Sequence, residues 1–219
     1  MQLLSRLHAE KLCFVLCSIA GGGLLSSVAQ ASPNVSGYVM HIQLVPAICA
    51  LDMSNSKKRK CLEGYSLNVE GLYPEGFRQN NCETSSSAAL QPIQAKVVAR
   101  VMPDENSRNT LWRTVGRCVP MNASQYFRTI INLAEKFKVP EELTSQETHI
   151  FQASNLRSKL QRLNTGLSAQ SMEFSCQQSG KNSILTEIKV CYRSNGQYKA
   201  CSNDVQNECP SSFMIQGAF

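Results

Sequence analysis

The sequence predicts an α+β fold built on a largely antiparallel sheet. Apolar residues alternate with period two near both ends of the mature chain, and two stripes of helical spacing lie between them. A late Asn-Gly turn is flanked by cysteines. The chain has 219 residues and 10 cysteines, with 42% apolar and 17% charged residues. This length suits one domain, and no internal repeat or Pro- or Gly-rich linker divides it. The composition excludes fibrous and disordered classes, and no apolar run is long enough to span a bilayer. The formal charge of +6 permits an anionic partner without requiring one.

Residues 1–31 carry the marks of an export signal. Arg6 and Lys11 form a positive start, Leu12 to Leu25 is apolar and small, and Ala29-Gln30-Ala31 places small residues where a signal peptidase reads. The predicted cut precedes Ser32, leaving a single mature domain over 32–219. A membrane anchor is disfavoured because Gly21, Gly22 and Gly23 interrupt a short apolar stretch, and Leu16 before Cys17 disfavours lipidation. Cleavage removes Arg6, Lys11 and Glu10, so the mature charge is +5. Eight cysteines remain, and an even count in an exported chain reads as four disulfides. No metal is expected, because no Cys-x-x-Cys occurs and the mature chain keeps only His41 and His149.

Tyr38 to Val45 alternates, with Tyr38, Met40, Ile42 and Leu44 on one face and Pro46 as the stop. Lys57 to Lys60 reads as a solvated loop, with a phosphate-contacting patch as the sharper alternative. Tyr65, Leu67 and Val69 alternate with Ser66, Asn68 and Glu70 in a second strand, and Thr84 to Ser87 is a polar loop. Asn122 and Gln125 form a capping box before Tyr126, Phe127, Ile130, Ala134 and Phe137, whose helix should run until Pro140. Thr144 and Glu147 repeat that signal before Ile150, Phe151, Leu156, Leu160 and Leu163, so His149 is expected to open a second helix. Both stripes read as core rather than as cofactor contacts. Met172, Phe174 and Cys176 alternate, as do Ile184, Thr186, Ile188 and Val190. Asn195-Gly196 is a hairpin turn, and Cys191 and Cys201 flank it closely enough in register to meet across the two arms.

Tyr65-Ser66-Leu67-Asn68-Val69-Glu70-Gly71-Leu72-Tyr73-Pro74 resembles the first active-site motif of the ribonuclease T2 family, a strand running into H-G-L-W-P. Leu111-Trp112-Arg113-Thr114-Val115-Gly116-Arg117-Cys118 is similar to a degenerate form of its second motif, H-E-W-x-K-H-G-x-C. Pro46-Ala47-Ile48-Cys49, Gln125-Tyr126-Phe127 and Leu185-Thr186-Glu187-Ile188-Lys189-Val190-Cys191 match further family segments in the right order. The resemblance implies a ribonuclease T2-like fold, a sheet flanked by helices. It also implies the pairing Cys49–Cys61, Cys82–Cys118, Cys176–Cys209 and Cys191–Cys201.

The family cleaves RNA by attack of the 2′-hydroxyl on its own phosphate, using histidines as acid and base, with no metal or cofactor. Here Glu70 holds the position of the first motif's histidine. With Trp112 aligned to the motif tryptophan, Thr110 and Leu111 replace His and Glu, and Thr114 and Val115 replace Lys and His. Aligning Trp112 to an earlier family tryptophan instead deletes the catalytic stretch. Either way the acid–base pair is missing, and His41 and His149 fall outside both motifs. Tyr73 and Trp112 are candidates for stacking on bases, with core packing as their alternative, and Arg113 and Arg117 are candidates for phosphate contacts.

The expected protein is therefore a monomer in the periplasm or outside the cell that has lost catalysis and binds RNA, nucleotides or a protein partner. After signal cleavage it has no membrane attachment. A weak endoribonuclease using Glu70 as base is the alternative.

Overall fold

The computed structural model describes residues 35–78 and 81–218; the expected signal peptide lies outside them. Strand β1 (Gly37–Leu44) runs directly into helix α1 (Val45–Leu51), and a short helix α2 (Arg59–Leu62) precedes strand β2 (Leu67–Pro74). Helices α3 (Pro92–Val98), α4 (Glu105–Val115) and α5 (Ala123–Lys136) follow. Strand β3 (His149–Gln152), helix α6 (Ala153–Leu163) and strands β4 (Met172–Ser179), β5 (Asn182–Arg193) and β6 (Ser212–Ile215) complete the order.

These strands form one sheet in the order β2-β1-β5-β6-β3, with β4 also pairing β5. All pairings are antiparallel except a single parallel contact, Ile184 with Met214, between β5 and β6. Tyr38, Met40, Ile42 and Leu44 are buried, as their alternation predicts, and so are Ile188 and Val190 opposite them. Helix α5 packs Tyr126, Phe127 and Ile130 into the same core, and its capping box is present in both directions. The opposite face of β1 and β5 carries His41, Gln43, Glu187 and Lys189, and there the sheet is left accessible.

Three local expectations are corrected. Strand β1 stops before Pro46 as expected but one residue sooner: Val45 already opens α1, and Pro46 sits in its first turn, where its missing N–H has no helical partner to lose. The first long helix ends at Lys136 rather than at Pro140, and Phe137 is extended. His149 opens a strand, not a helix. Ile150 is exposed and Phe151 turns inward, a period of two, because β6 supplies a pairing partner about sixty residues downstream. The helical stripe begins only at Ala153, where Leu156 and Leu160 are buried and Leu163 is exposed.

All four expected disulfides are present, with Cα–Cα separations between 4.9 and 5.9 Å. Cys82–Cys118 ties the loop after β2 to the end of α4, and backbone bonds from Thr84 to Arg113 and from Arg117 to Cys82 fasten the same seam. Gly116 is required there by close approach: a Cβ would lie 2.4 Å from the Thr84 methyl.

Candidate functional site

The two motif segments face each other across a cleft of about 510 Å³. Its floor is the accessible sheet face, with Gln43 from β1 and Asn68, Glu70 and Tyr73 from β2. One wall is α4, presenting Asn106, Ser107, Thr110, Leu111 and Thr114 with Asp104 at its N-cap, and the other carries Lys58 and Lys60. A second lobe of about 680 Å³ continues past Tyr73 and Phe77 to His41, Arg78 and Glu187.

A bulge aims Glu70. The β1–β2 register steps from His41 opposite Gly71 to Ile42 opposite Val69, so Glu70 is the extra residue on β2. Beyond the bulge the inward residue is Leu72, and Tyr73 returns to the cleft side. The Tyr73 hydroxyl donates to Glu70 Oε2 at 2.5 Å. Burial and the neighbouring Glu70 charge push the Tyr73 phenol far above its ordinary range, so it stays a donor. Gly71 makes room for this arrangement, since a Cβ there would meet the Tyr73 ring at 2.8 Å and Leu111 at 2.9 Å. From behind, the Tyr126 hydroxyl donates to the Leu72 carbonyl at 2.9 Å and clamps the motif strand to α5.

Helix α4 divides its residues between cleft and core. Thr110, Leu111 and Thr114 line the cleft, whereas Val115 is fully buried on the core side and has no access to it. Trp112 is 3% exposed, so the stacking role is corrected in favour of core packing. Its ring lies 5.7 Å from Tyr126, and its indole N–H is directed at the Ser86 carbonyl and hydroxyl, pinning the 84–87 loop. Arg113 is exposed in a shallow depression shared with Thr110 and Thr114, at the rim of the cleft. Arg117 is exposed beyond the helix end and outside the lining of the cleft.

Lys60 overturns the reading of residues 57–60 as wholly solvated. It is 6% exposed, and its ammonium donates to Gln43 Oε1 at 2.6 Å. Burial lowers its pKa, with the nearby Lys58 adding to the effect. Lys57 and Lys58 remain exposed, and Lys58 overhangs the cleft.

Two residues of the second lobe have no site role in the motifs: His41 lies outside them, and Glu187 belongs to a family segment that reads only as strand. His41 Nδ1 lies 3.2 Å from Glu187 Oε1, and its ring packs edge-on to Tyr73 at 4.7 Å. The alternation of β1 was the available signal, since it put His41 on the non-core face. Which strand lies beside β1, and in what register, is not written in that alternation. His149 is remote from this group and faces Glu147 and Ser145.

The ribonuclease T2 family model matches residues 36–201. The chain belongs to the ribonuclease T2 family. No curated protein matches it in sequence. Solved structures carry the same fold at low identity. Ribonuclease MC1 from bitter gourd seeds is 15% identical with a TM-score of 0.60, covering 81% of this chain and 98% of that one. The self-incompatibility associated SF11-RNase of Nicotiana alata is 14% identical with a TM-score of 0.64, covering 83% and 98%. The S3-RNase of Japanese pear is 16% identical with a TM-score of 0.58, covering 84% and 99%. A variant of ribonuclease MC1 was solved with 5′-UMP.

Proposed function

We infer that this ribonuclease T2-family chain is an exported protein that binds RNA or nucleotides in the Glu70 cleft without cleaving them. One observation carries the reading. Across the cleft from Glu70 the α4 wall offers Asn106, Ser107, Thr110, Leu111 and Thr114, none of which gives up a proton readily near neutral pH, and Asp104 at the helix N-cap accepts the Arg59 backbone N–H at 2.7 Å. Transesterification needs a base on the 2′-hydroxyl and an acid on the leaving oxygen, in line on opposite sides of phosphorus. Each such group contributes about 10²- to 10⁴-fold, so a one-sided cleft supports activity near background. Binding keeps its materials: Lys58 and Lys60 for phosphate, Tyr73 and Phe77 for a base, and the Gln43 and Asn68 amides for base edges.

A second reading, weak ribonuclease activity with Glu70 as base, draws support from His41, which brings an imidazole into the group. His41, Glu70 and Glu187 offer atoms within 4.8 Å of one another, however, so acid and base would approach the phosphate from the same side. Export is supported by four disulfides, which persist in oxidising compartments, periplasmic or extracellular. None of the described helices is long and apolar enough to cross a membrane.

The deciding experiment incubates the purified protein with labelled single-stranded RNA and reads anisotropy and products together. Binding with no 2′,3′-cyclic phosphate above buffer control between pH 4 and 8 is the expected result. Cleavage abolished by Glu70→Gln overturns it in favour of the second reading. Absence of binding at low salt removes RNA and leaves a protein partner.

A further inference from the structure

We propose that His41, Glu70 and Glu187 form a site for a divalent cation of the zinc type. The three come from adjacent strands on one sheet face: β1 lies between β2 and β5, and the bulge at Glu70 turns its carboxylate toward the other two. One ligand atom from each lies within 4.8 Å of the others, and His41 Nδ1 is 3.2 Å from Glu187 Oε1. A tetrahedral ion with ligands at about 2.1 Å separates neighbouring donors by roughly 3.4 Å. The His41–Glu187 pair is therefore already at coordination spacing, and Glu70 completes the set by side-chain rotation.

The surroundings favour a cation over a chance cluster of surface acids. His41 and Glu187 are only 23% and 16% exposed at their side chains and Glu70 is half-buried, so water screens the converging carboxylates poorly. Of the basic side chains around the site, Lys189 is paired with Glu208 at 3.4 Å, Lys60 donates to Gln43 at 2.6 Å, and Arg78 lines the same lobe; among the described residues no lysine or arginine forms an ion pair with Glu70 or Glu187. Supporting contacts are in place as well. Tyr73 packs against the His41 ring and donates to Glu70, so it contacts two of the three ligands from outside the coordination sphere. One imidazole with two carboxylates suits zinc, with manganese next by ligand type. Three protein ligands leave a position open toward the second lobe, to be filled by water or an anion oxygen. The site does not depend on RNA binding, and the metal alone probes it.

The chelator-treated, disulfide-intact protein is titrated with Zn²⁺, with Mn²⁺ and Mg²⁺ alongside, by calorimetry and by the rise in melting temperature. Saturable one-to-one Zn²⁺ binding is expected. His41→Ala and Glu187→Gln should each weaken it by more than about tenfold, and Tyr73→Phe by about 10- to 100-fold. His149→Ala should leave it unchanged. Metal-free melting curves establish that each variant folds, and the near-isosteric Glu187→Gln decides the matter if His41→Ala does not. No saturable binding by the wild type overturns the proposal, as does binding that Glu187→Gln leaves intact.

Discussion

The Tyr73 hydroxyl donates to Glu70 Oε2 at 2.5 Å, joining two residues three apart on a strand where straight alternation would send them to opposite faces. The bulge at Glu70 puts both on the cleft side. Tyr73 also touches His41 and Phe77, so it is the hinge between the two lobes.

Tyr73→Phe tests this hinge in the apo protein. Removing a hydrogen bond to a charged group should cost about 1.5–3 kcal/mol, toward the low end here because Glu70 can recruit water. Urea denaturation of the disulfide-intact chain measures it, and an unchanged midpoint would mean the contact is not maintained in solution.

Salt-dependent RNA binding separates the basic groups. Affinity for single strands should fall by about 0.7 log units per contacted phosphate for each tenfold rise in salt. Lys58→Glu, at the cleft mouth, should lower both the affinity and that slope. Arg113→Ala should have a smaller effect from the rim, and Arg117→Ala, outside the lining, almost none. A larger loss with Arg117→Ala than with Lys58→Glu would move the contact surface away from the cleft.

Trp112 should matter for stability and not for ligand. Trp112→Ala removes a buried ring and should cost about 3–5 kcal/mol. Trp112→Phe should cost less and leave RNA affinity within error, since the ring never reaches the cleft. A selective loss of affinity by anisotropy in the phenylalanine variant would contradict its core role.

Acid should loosen the seam between the start and end of the domain. Burial raises the Glu75 pKa, but hydrogen bonds from Lys199 and Ser36 outweigh it and hold the carboxyl below its ordinary value of 4.5. A pKa depressed by folding contributes stability that is present above the unfolded value and is lost as pH falls through the folded one. Melting temperature should therefore fall with acidification below about pH 4.5, where the unfolded carboxylate begins to bind protons ahead of the native one. Glu75→Gln should flatten that fall, and an identical pH profile for variant and wild type would rule out this carboxylate as its source.

The sequence by itself determined the features that local chemistry controls. The Asn122–Gln125 capping box, the buried face of β1 and the Cys191–Cys201 closure depend on neighbours in the chain or on simple periodicity, and each is present. The order of the weakened motifs was enough to indicate the family, its fold and the remaining three disulfides. Tertiary structure decided the rest, because those outcomes depend on partners far along the chain. Residues 149–152 became a strand when β6 paired with them, against a locally plausible helix. The bulge at Glu70 exists only in the register with β1, and Lys60 is buried because Gln43 receives its ammonium. His41 entered the site because β1 lies between the strands that carry Glu70 and Glu187, and hydrogen-bonded pairing of distant segments selects that order.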